Sequence, residues 1–241
     1  MVTQRHQFQP GDNRMAITRR RFVSGVAFGA AASMLAAKPG GAASTVANAG
    51  AYFAGTNQDN GYTYRLTNFA KIDPSLRRQL VQYYSPEPIG SVVVDTNNHF
   101  LYVIFENNTA LRYGVGVGRE GFRWYGHAQI DRKALWPRWV PPPEMRKRQP
   151  DLPVSMDGGP DNPLGPRAMY LYRGGSDLGY RLHGTLEPWS IGHNVSSGCV
   201  RMFPEDVIDL YQRCPMGTRV LVLKHIGAPM VDEAAPGVTP G

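Results

Sequence analysis

The sequence predicts a mainly β protein with minor helical content and one main helix. Its 241 residues include 27 Gly and 20 Pro, and both residue types favour turns over long helices. Short β-branched and aromatic runs alternate with turn residues from residue 89 onwards, which is typical of strands. Because a chain of this length holds one full domain or two small ones, we expect one domain with tails.

Six runs carry the strand pattern, near residues 91–94, 100–105, 111–117, 168–172, 180–183 and 218–223. Turn residues at 95–98 and 107–108 separate the first three runs, so a meander is predicted there. The main helix is predicted over 204–213, because a proline opens it and acidic residues occupy its first turn. The chain between residues 119 and 167 shows no regular pattern. Since long loops inside compact domains are usually functional, we expect residues 136–166 to border a substrate groove.

The amino terminus resembles a twin-arginine export signal. Arg19 and Arg20 precede Phe22 and a weakly apolar run over residues 23–37. This run is shorter than the ~20 apolar residues of a spanning helix, so residues 1–37 are predicted to be a cleaved signal, with an uncleaved anchor as the alternative. Cleavage could follow any of four alanines, Ala32, Ala37, Ala43 or Ala49. The start codon is open between Met1 and Met15.

Three further segments flank the predicted domain. Residues 38–61 are rich in small and polar residues without a hydrophobic period, which predicts a low-complexity linker. Residues 62–88 are predicted to be an N-terminal extension, in which the Asp-Pro pair at 73–74 indicates a short helix through Tyr84. Residues 225–241 are predicted to be a flexible C-terminal tail.

The net charge argues against a nucleic-acid partner. The formal net charge is +7, and four of these charges fall in the first 37 residues, which leaves a surplus of three for the rest. The short basic run at 146–148 is not part of a stripe interleaved with aromatic residues, as a nucleic-acid-binding surface would require. A mild positive charge suits an anionic polymer such as the cell wall.

The residue types needed for cysteine catalysis are concentrated between residues 182 and 202. Such catalysis requires a thiolate, a base that forms it, and amide donors for the oxyanion. Cys199 is the candidate nucleophile, and His183 at a predicted strand end is the candidate base. Gly198 lets the backbone turn sharply, so that N–H groups can point at a carbonyl oxygen. Arg201 can favour the thiolate and hold a carboxylate.

Plainer interpretations of these residues compete with the catalytic one. Cys199 and Cys214 could form a disulfide in an oxidising compartment, although Cys214 at a helix end fits a small buried hydrophobe better. His183 could be an ordinary core histidine, and Arg201 could be a structural ion-pair partner. No metal site is predicted, because the other candidate histidines lack metal-ligand spacing: His99, His127, His193 and His225.

These motifs resemble the L,D-transpeptidase catalytic domain, the family also called YkuD, and are closest to its Gram-negative ErfK and YbiS branch. In chain order they are His183-Gly184-Thr185, Gly192 and the Ser-x-Gly-Cys-x-Arg of residues 196–201. The likeness covers residues 89–224, which we take as the catalytic domain. The segments 139–145 and 162–165 also look like that branch.

The resemblance implies a YkuD-like β-sandwich with its main helix after the catalytic cysteine. It implies that Cys199 is the acylated nucleophile, that His183 is its general base and acid, and that the backbone carbonyl of Gly184 orients the imidazole. Gly198 would supply an oxyanion N–H, and the implied substrate contacts are Arg201, Ser197 and Trp189. Many members of the family have a second histidine where this chain has Ser197, and we expect that change to alter affinity rather than abolish chemistry.

The implied reaction is acyl transfer from a tetrapeptide stem of peptidoglycan to an amine, without metal or organic cofactor. The acceptor is open: a stem amine would give a 3→3 cross-link, a protein side chain would anchor that protein to the wall, and water would give L,D-carboxypeptidase activity. The implied location is the periplasm, with the membrane met only transiently through the signal. The sulfur of Cys199 and the ring of His183 should lie within about 4 Å of each other.

Two functions of other kinds compete with this one. A non-catalytic wall-binding module would lack or sequester the cysteine or the histidine, and neither is missing from the sequence. A cysteine protease would need a broader peptide groove and an Asn or Asp that orients the histidine, which the sequence does not reveal.

Overall fold

A computed structural model describes residues 48–118, 124–196 and 198–224. The strands in these segments are β1 (Phe53–Asp59), β2 (Tyr62–Thr67), β3 (Gln79–Gln82), β4 (Val92–Asp95), β5 (Phe100–Ile104), β6 (Thr109–Gly114), β7 (Val117–Gly118), β8 (Gly126–Leu135), β9 (Arg167–Arg173), β10 (Ser176–Gly184), β11 (Asn194–Ser196), β12 (Val200–Met202) and β13 (Arg219–Val222). The α-helices are α1 (Pro143–Arg148) and α2 (Pro204–Arg213). The mainly β prediction is confirmed. The predicted export signal and C-terminal tail lie outside the described residues.

One nine-stranded sheet dominates the fold, in the order β12-β10-β9-β8-β13-β4-β5-β6-β3. Two of its strand pairs are parallel, β10 with β12 and β13 with β4, and the other neighbours are antiparallel. Smaller two-stranded sheets are formed by β1 with β2 and by β7 with β11. The parallel pair of β10 and β12 matters most for the site, because it places two successive motifs of the chain side by side.

The large sheet curls, so that the chain just after β6, the next-to-last strand of the order, meets β12 at the opposite end. Immediately after β6, the N–H of Gly116 donates to the carbonyl of Arg201 on β12 at 2.9 Å, and the N–H of Arg201 donates back at 2.8 Å. Only glycine fits at position 116, because a Cβ there would lie 2.6 Å from the carbonyl oxygen of Ser190. The curled sheet encloses one core that contains side chains from most of the strand order, from Val200 of β12 to Tyr113 of β6.

Helix α2 closes this core. Pro204 opens the helix with Glu205 and Asp206 in the first turn, where acidic side chains complement the helix dipole. Val207 and Leu210 are fully buried in the same core cluster as the sheet. At the other end, Lys133 of β8 donates to the carbonyl oxygens of Tyr211 and Cys214 at 2.6 and 2.7 Å, which satisfies carbonyls that the helix leaves unpaired.

The sequence located most of the sheet but missed its longest strand. The six predicted runs correspond to β4, β5, β6 with β7, β9, β10 and β13, and the predicted helix coincides with α2. The prediction that residues 119–167 are irregular is wrong for β8, which is ten residues long. Its apolar alternation stops after Ala128 and Ile130, because the register with β9 shifts between Ile130 and Arg132. An irregularity of this kind breaks the two-residue period on which strand prediction depends.

The predicted helix through Tyr84 is also wrong. Asp73 does cap a turn, since its side chain accepts from the N–H of Ser75 at 2.8 Å, and Pro74 begins that turn as expected. However, only a single 3₁₀ turn forms, and it ends at Leu76. The chain then extends as β3, which pairs with β6 at the edge of the large sheet. Tertiary pairing therefore overrides the local helix signal.

The interpretation of residues 38–61 as a linker fails for their second half, where β1 forms a hairpin with β2. The hairpin is held by polar contacts and by the rings of Tyr62 and Tyr64, which pack against Trp136. The carboxylate of Asp59 receives two hydrogen bonds from Arg167 of β9, at 2.6 and 2.7 Å, and a third from the indole of Trp136 at 2.8 Å. At the other end of the hairpin, the backbone and hydroxyl of Thr67 both donate to Glu205 of α2.

Within the described segments, no helix has the length and apolar character needed to cross a membrane.

The ion pair of Asp59 with Arg167 is expected to be a main contributor to hairpin docking. The side chain of Arg167 is only 5% exposed, so Asp59→Ala would leave a buried guanidinium without its counter-charge. We expect a loss of about 3 kcal/mol in the free energy of unfolding, measured by urea denaturation. The matched control is Asp157→Ala, which removes the partner of Arg138 from an exposed pair at 3.6 Å and should change stability little. Equal unfolding midpoints for Asp59→Ala and wild type would contradict this assignment.

Candidate active site

His183 lies at the end of β10, in a position fixed by strands on both sides. It pairs with Ala168 of β9 and with Arg201 of β12. Its neighbour Leu182 points into the core, so by strand alternation the imidazole projects from the opposite face. The side chain is nevertheless buried, with 5% of its surface exposed.

The tautomer of His183 follows from its hydrogen bond. Its Nδ1 lies 2.6 Å from the backbone carbonyl oxygen of Gly184. A carbonyl only accepts, so Nδ1 carries the proton and a neutral ring has its lone pair on Nε2. Burial lowers the pKa of His183 to about 4, with the positive charge of Arg201 acting in the same direction. The imidazole is therefore neutral near pH 7 and able to accept a proton.

Close backbone packing holds the Gly184 carbonyl in place. A Cβ on Gly184 would lie 2.9 Å from the ring of Pro166 and 3.2 Å from the carbonyl oxygen of Leu164, so the loop before β9 can approach only a glycine. This loop is itself anchored by Asn162, whose buried amide donates to the carbonyl of Pro137 at 2.9 Å. The segment 162–165 thus supports the orientation of the histidine from behind.

Cys199 directly precedes β12 and lies beside β10. Because Leu182 pairs with Val200 in the parallel register, the preceding residues, Arg181 and Cys199, are neighbours. The backbone of Arg181 also hydrogen-bonds to Cys199. The thiol is partly buried, and desolvation raises its pKa despite the opposing effect of Arg181 and Arg201. The expectation that Arg201 favours the thiolate has the right sign, but burial outweighs it.

Gly198 has a backbone conformation that requires glycine. Its φ is 128°, which other residues rarely adopt, and a Cβ there would lie 3.2 Å from the ring of Tyr180. The sharp turn predicted before Cys199 is therefore present. Ser197, predicted to contact substrate, lies outside the described residues.

The other predicted contact residues have partners within the protein. Arg201 forms a salt bridge with Glu187, with 2.6 Å between Nη1 and Oε2. Trp189 packs edge-on against Tyr52 and Phe53, with ring centroids 5.7 and 6.4 Å apart. Trp189 thus braces the segment before the hairpin, which favours a structural role for it.

No disulfide joins Cys214 to Cys199 in the described part of the chain. Cys214 is fully buried in the core beside α2, as expected for a small hydrophobe. Burial raises its pKa to about 12, so it is unreactive at neutral pH.

The loop over residues 136–166 lines a cavity of about 300 Å³ that also contacts the hairpin. Trp136, Gly165 and Pro166 form one wall, and Thr185, two residues after His183, contributes to another. Sequence reasoning missed the contribution of the hairpin and the position of Arg181. The sequence does indicate that Arg181 lies on the same face as His183, because Arg181 is two residues before His183 and residues two apart on a strand share a face.

A cysteine directly before β12 lies beside β10, which carries a neutral histidine, and glycines shape both backbones. This arrangement defines the protein as a candidate thiol-dependent acyl-transfer enzyme. Comparison with known families then identifies it more closely. The chain belongs to the L,D-transpeptidase catalytic domain family, YkuD, whose model matches residues 90–222, more than half of the chain.

Individual relatives support the ErfK and YbiS branch. The probable L,D-transpeptidases ErfK/SrfK and YbiS of Escherichia coli (strain K12) are each 34% identical to this chain, over 142 and 139 residues. The matches cover 56% and 54% of this chain but only 44% and 43% of those proteins. The chain therefore spans less than half the length of these relatives.

A solved structure from Brucella melitensis, named a probable carnitine operon oxidoreductase, is 47% identical and covers 65% of this chain and 99% of its own, with a TM-score of 0.43. At this TM-score the superposition does not support conclusions about this chain, and the name oxidoreductase applies to the Brucella protein only.

The protonation of His183 can be tested directly. We expect the His183 ring to titrate near pH 4 rather than near its ordinary value of about 6.5, because burial opposes its charged form. Nitrogen-15 NMR of the imidazoles between pH 3.5 and 8 measures this, with His183→Gln assigning the signal. Well above pH 4 the shifts should show a neutral ring protonated at Nδ1. A ring that titrates near pH 6.5, or one protonated at Nε2, would contradict the geometry described here.

Proposed function

We propose that this protein is a peptidoglycan L,D-transpeptidase that transfers an acyl group from a tetrapeptide stem to an amine through Cys199. Membership of the YkuD family supports this proposal. The observation that carries it is the hydrogen bond from His183 Nδ1 to Gly184, which leaves Nε2 as a base on the strand beside Cys199.

In this proposal Cys199 is the nucleophile. The carbonyl carbon of the L-centre of the diamino acid forms a bond with the sulfur, while the thiol proton passes to Nε2 of His183. The backbone N–H of Gly198 stabilises the oxyanion. The intermediate then collapses, the bond to D-alanine breaks, and His183 returns the proton to the departing amine. A thioester on Cys199 remains.

The thioester is then resolved by an acceptor. A stem amine would give a 3→3 cross-link and a protein side chain would give a wall-anchored protein, while water would release the tripeptide as an L,D-carboxypeptidase does. In each case His183 removes a proton from the acceptor, and the thiol of Cys199 is restored.

The pKa values favour proton transfer during attack over a preformed ion pair. Desolvation raises the pKa of Cys199 and lowers that of His183, so both groups are neutral before substrate binds. Attack on the carbonyl and transfer of the proton are then coupled, with the histidine acting as a true general base.

Export to the periplasm is part of the proposal. The paired Arg19 and Arg20 before a weakly apolar run support a twin-arginine signal over residues 1–37. Residues 89–224 would form the catalytic domain, and the separation of Cys199 from His183 by about 4 Å or less remains a prediction.

The proposal is tested by incubating the purified protein with disaccharide-tetrapeptides and measuring the products by mass spectrometry. We expect loss of D-alanine together with a cross-linked dimer. Loss of D-alanine with only the tripeptide would establish a carboxypeptidase instead. Binding without any change in mass would indicate a wall-binding module and overturn the enzymatic assignment.

The nucleophile can be identified with a carbapenem, whose strained amide opens on attack by a thiolate. We expect one adduct per chain, located on Cys199 by peptide mapping, because burial and a pKa of about 12 protect Cys214. Cys199→Ala should abolish the adduct, and His183→Ala should slow its formation by about 10²- to 10⁴-fold.

The matched control for this measurement is Cys214→Ala, which should react at the wild-type rate. An adduct on Cys214 with Cys199 unmodified would overturn the assignment of the nucleophile.

A further inference from the structure

A row of side chains crosses three strands on the outer face of the sheet and ends beside Cys199. Arg132 of β8 pairs with Tyr170 of β9, and Tyr170 pairs with Arg181 of β10. Leu171 follows Tyr170 on β9, and Leu182 follows Arg181 on β10. Both leucines lie in the core. By strand alternation the row therefore lies on the face away from the core. The next position along the row, on the far side of β10, is Cys199.

The row is tightly stacked. The guanidinium carbons of Arg132 and Arg181 lie 4.3 and 4.6 Å from the centroid of the same Tyr170 ring. Tyr170 is only 6% exposed, although it lies on the outer face, because the two arginines cover it. Stacking on an aromatic ring holds a guanidinium in one plane while leaving its N–H groups available for a ligand.

The arginines near Cys199 differ in whether their charge is already balanced. Arg181 is held by both carboxylate oxygens of Asp177 at 2.9 Å, and Arg201 is paired with Glu187. Arg132 is exposed, and no carboxylate in the described part of the chain forms a salt bridge with it. The positive charge available to a ligand on this row is therefore that of Arg132.

We propose that Arg132, stacked on Tyr170, binds a carboxylate of the donor stem away from the bond that is cleaved. This inference rests on the proposed function, and it adds a substrate preference: stems with a free carboxylate at that point should be used better than amidated ones. A guanidinium suits this task because its planar fork matches a carboxylate with two parallel hydrogen bonds. Arg181 is the positioning residue, since it contacts the same Tyr170 ring while Asp177 fixes its guanidinium.

The geometry is suited to a stem held across the strands. Neighbouring strands are about 4.8 Å apart, and the guanidinium of Arg132 lies over Tyr170 of β9, which is two strands from β12 along the sheet. A carboxylate bound by Arg132 would therefore lie roughly 10 Å or more from the Cys199 sulfur. The carboxylate must therefore be separated from the scissile carbonyl by an extended part of the stem, and six or seven bonds span about 8 Å. Two groups qualify, the α-carboxylate of the isoglutamyl residue and the side-chain carboxylate of the diamino acid.

The test compares three tetrapeptide stems: one with both carboxylates free, one amidated at the isoglutamyl residue, and one amidated at the diamino acid side chain. For wild type, one of the two amidations should raise KM by about tenfold with little change in kcat, as expected for loss of a charge-assisted hydrogen bond. The amidation that has this effect identifies the carboxylate. In Arg132→Gln the same amidation should change KM little, so that the ratio of the KM values for the amidated and the free stem falls towards one. Arg132→Lys should retain part of the preference for the free stem.

The matched control is Arg112→Gln. Arg112 also stacks on an aromatic ring, with its guanidinium 4.2 Å from the centroid of Phe100, but it lies on β6, far from β8 in the strand order. It should keep wild-type selectivity. Equal KM values of wild type for all three stems, or unchanged selectivity in Arg132→Gln, would overturn the subsite while leaving the proposed function standing.

A separate measurement keeps the two proposals distinguishable if turnover fails. Calorimetric binding of the same stems to Cys199→Ala does not depend on catalysis. Tighter binding of the free-carboxylate stem that disappears in the double variant with Arg132→Gln would support the subsite. Equal binding of all stems would overturn it.

Discussion

The backbone pairing of Gly116 with Arg201 is the constraint on which the geometry of the site depends. It joins the segment after β6 to β12 and so ties together distant parts of the curled sheet. Because β12 is short and lies at the edge of the strand order, this second partner holds it in register against β10. That register is what makes Cys199 a neighbour of Arg181 and places Arg201 opposite His183. Gly116 permits the closure, since no side chain fits against the carbonyl of Ser190.

Burial then determines the protonation state of the two candidate reactive groups. Removing a charge from water is costly, so the thiol and the imidazole are both driven towards their neutral forms even though arginines lie nearby. A neutral pair is stable in the absence of substrate, and in the proposed mechanism the sulfur becomes strongly nucleophilic only when the histidine accepts its proton. The Gly184 carbonyl completes this arrangement by keeping the proton on Nδ1.

The residues before the family domain are structurally continuous with it. The hairpin of β1 and β2 reaches β9 through Asp59 and α2 through Thr67, while β3 extends the large sheet by one strand. The hairpin also lines the cavity beside Thr185. Features of this chain outside the matched residues 90–222 therefore shape the surroundings of the candidate site, and they belong in any account of its specificity.

The sequence by itself determined the mainly β class, helix α2 and the candidate nucleophile and base, because those features are encoded locally by alternation, by helix-start residues and by short motifs. It could not determine β8, the hairpin or β3. These depend on an interrupted register, on a long-range ion pair with Arg167 and on pairing with β6, and none of those leaves a periodic pattern in its own segment. Likewise, the motif identified Cys199 and His183, but only the folded sheet decided that burial outweighs the nearby arginines and that Arg132, 67 residues before Cys199 in the chain, lies on the same row. Such properties arise from what surrounds a side chain in space, which neighbouring residues in the sequence do not specify.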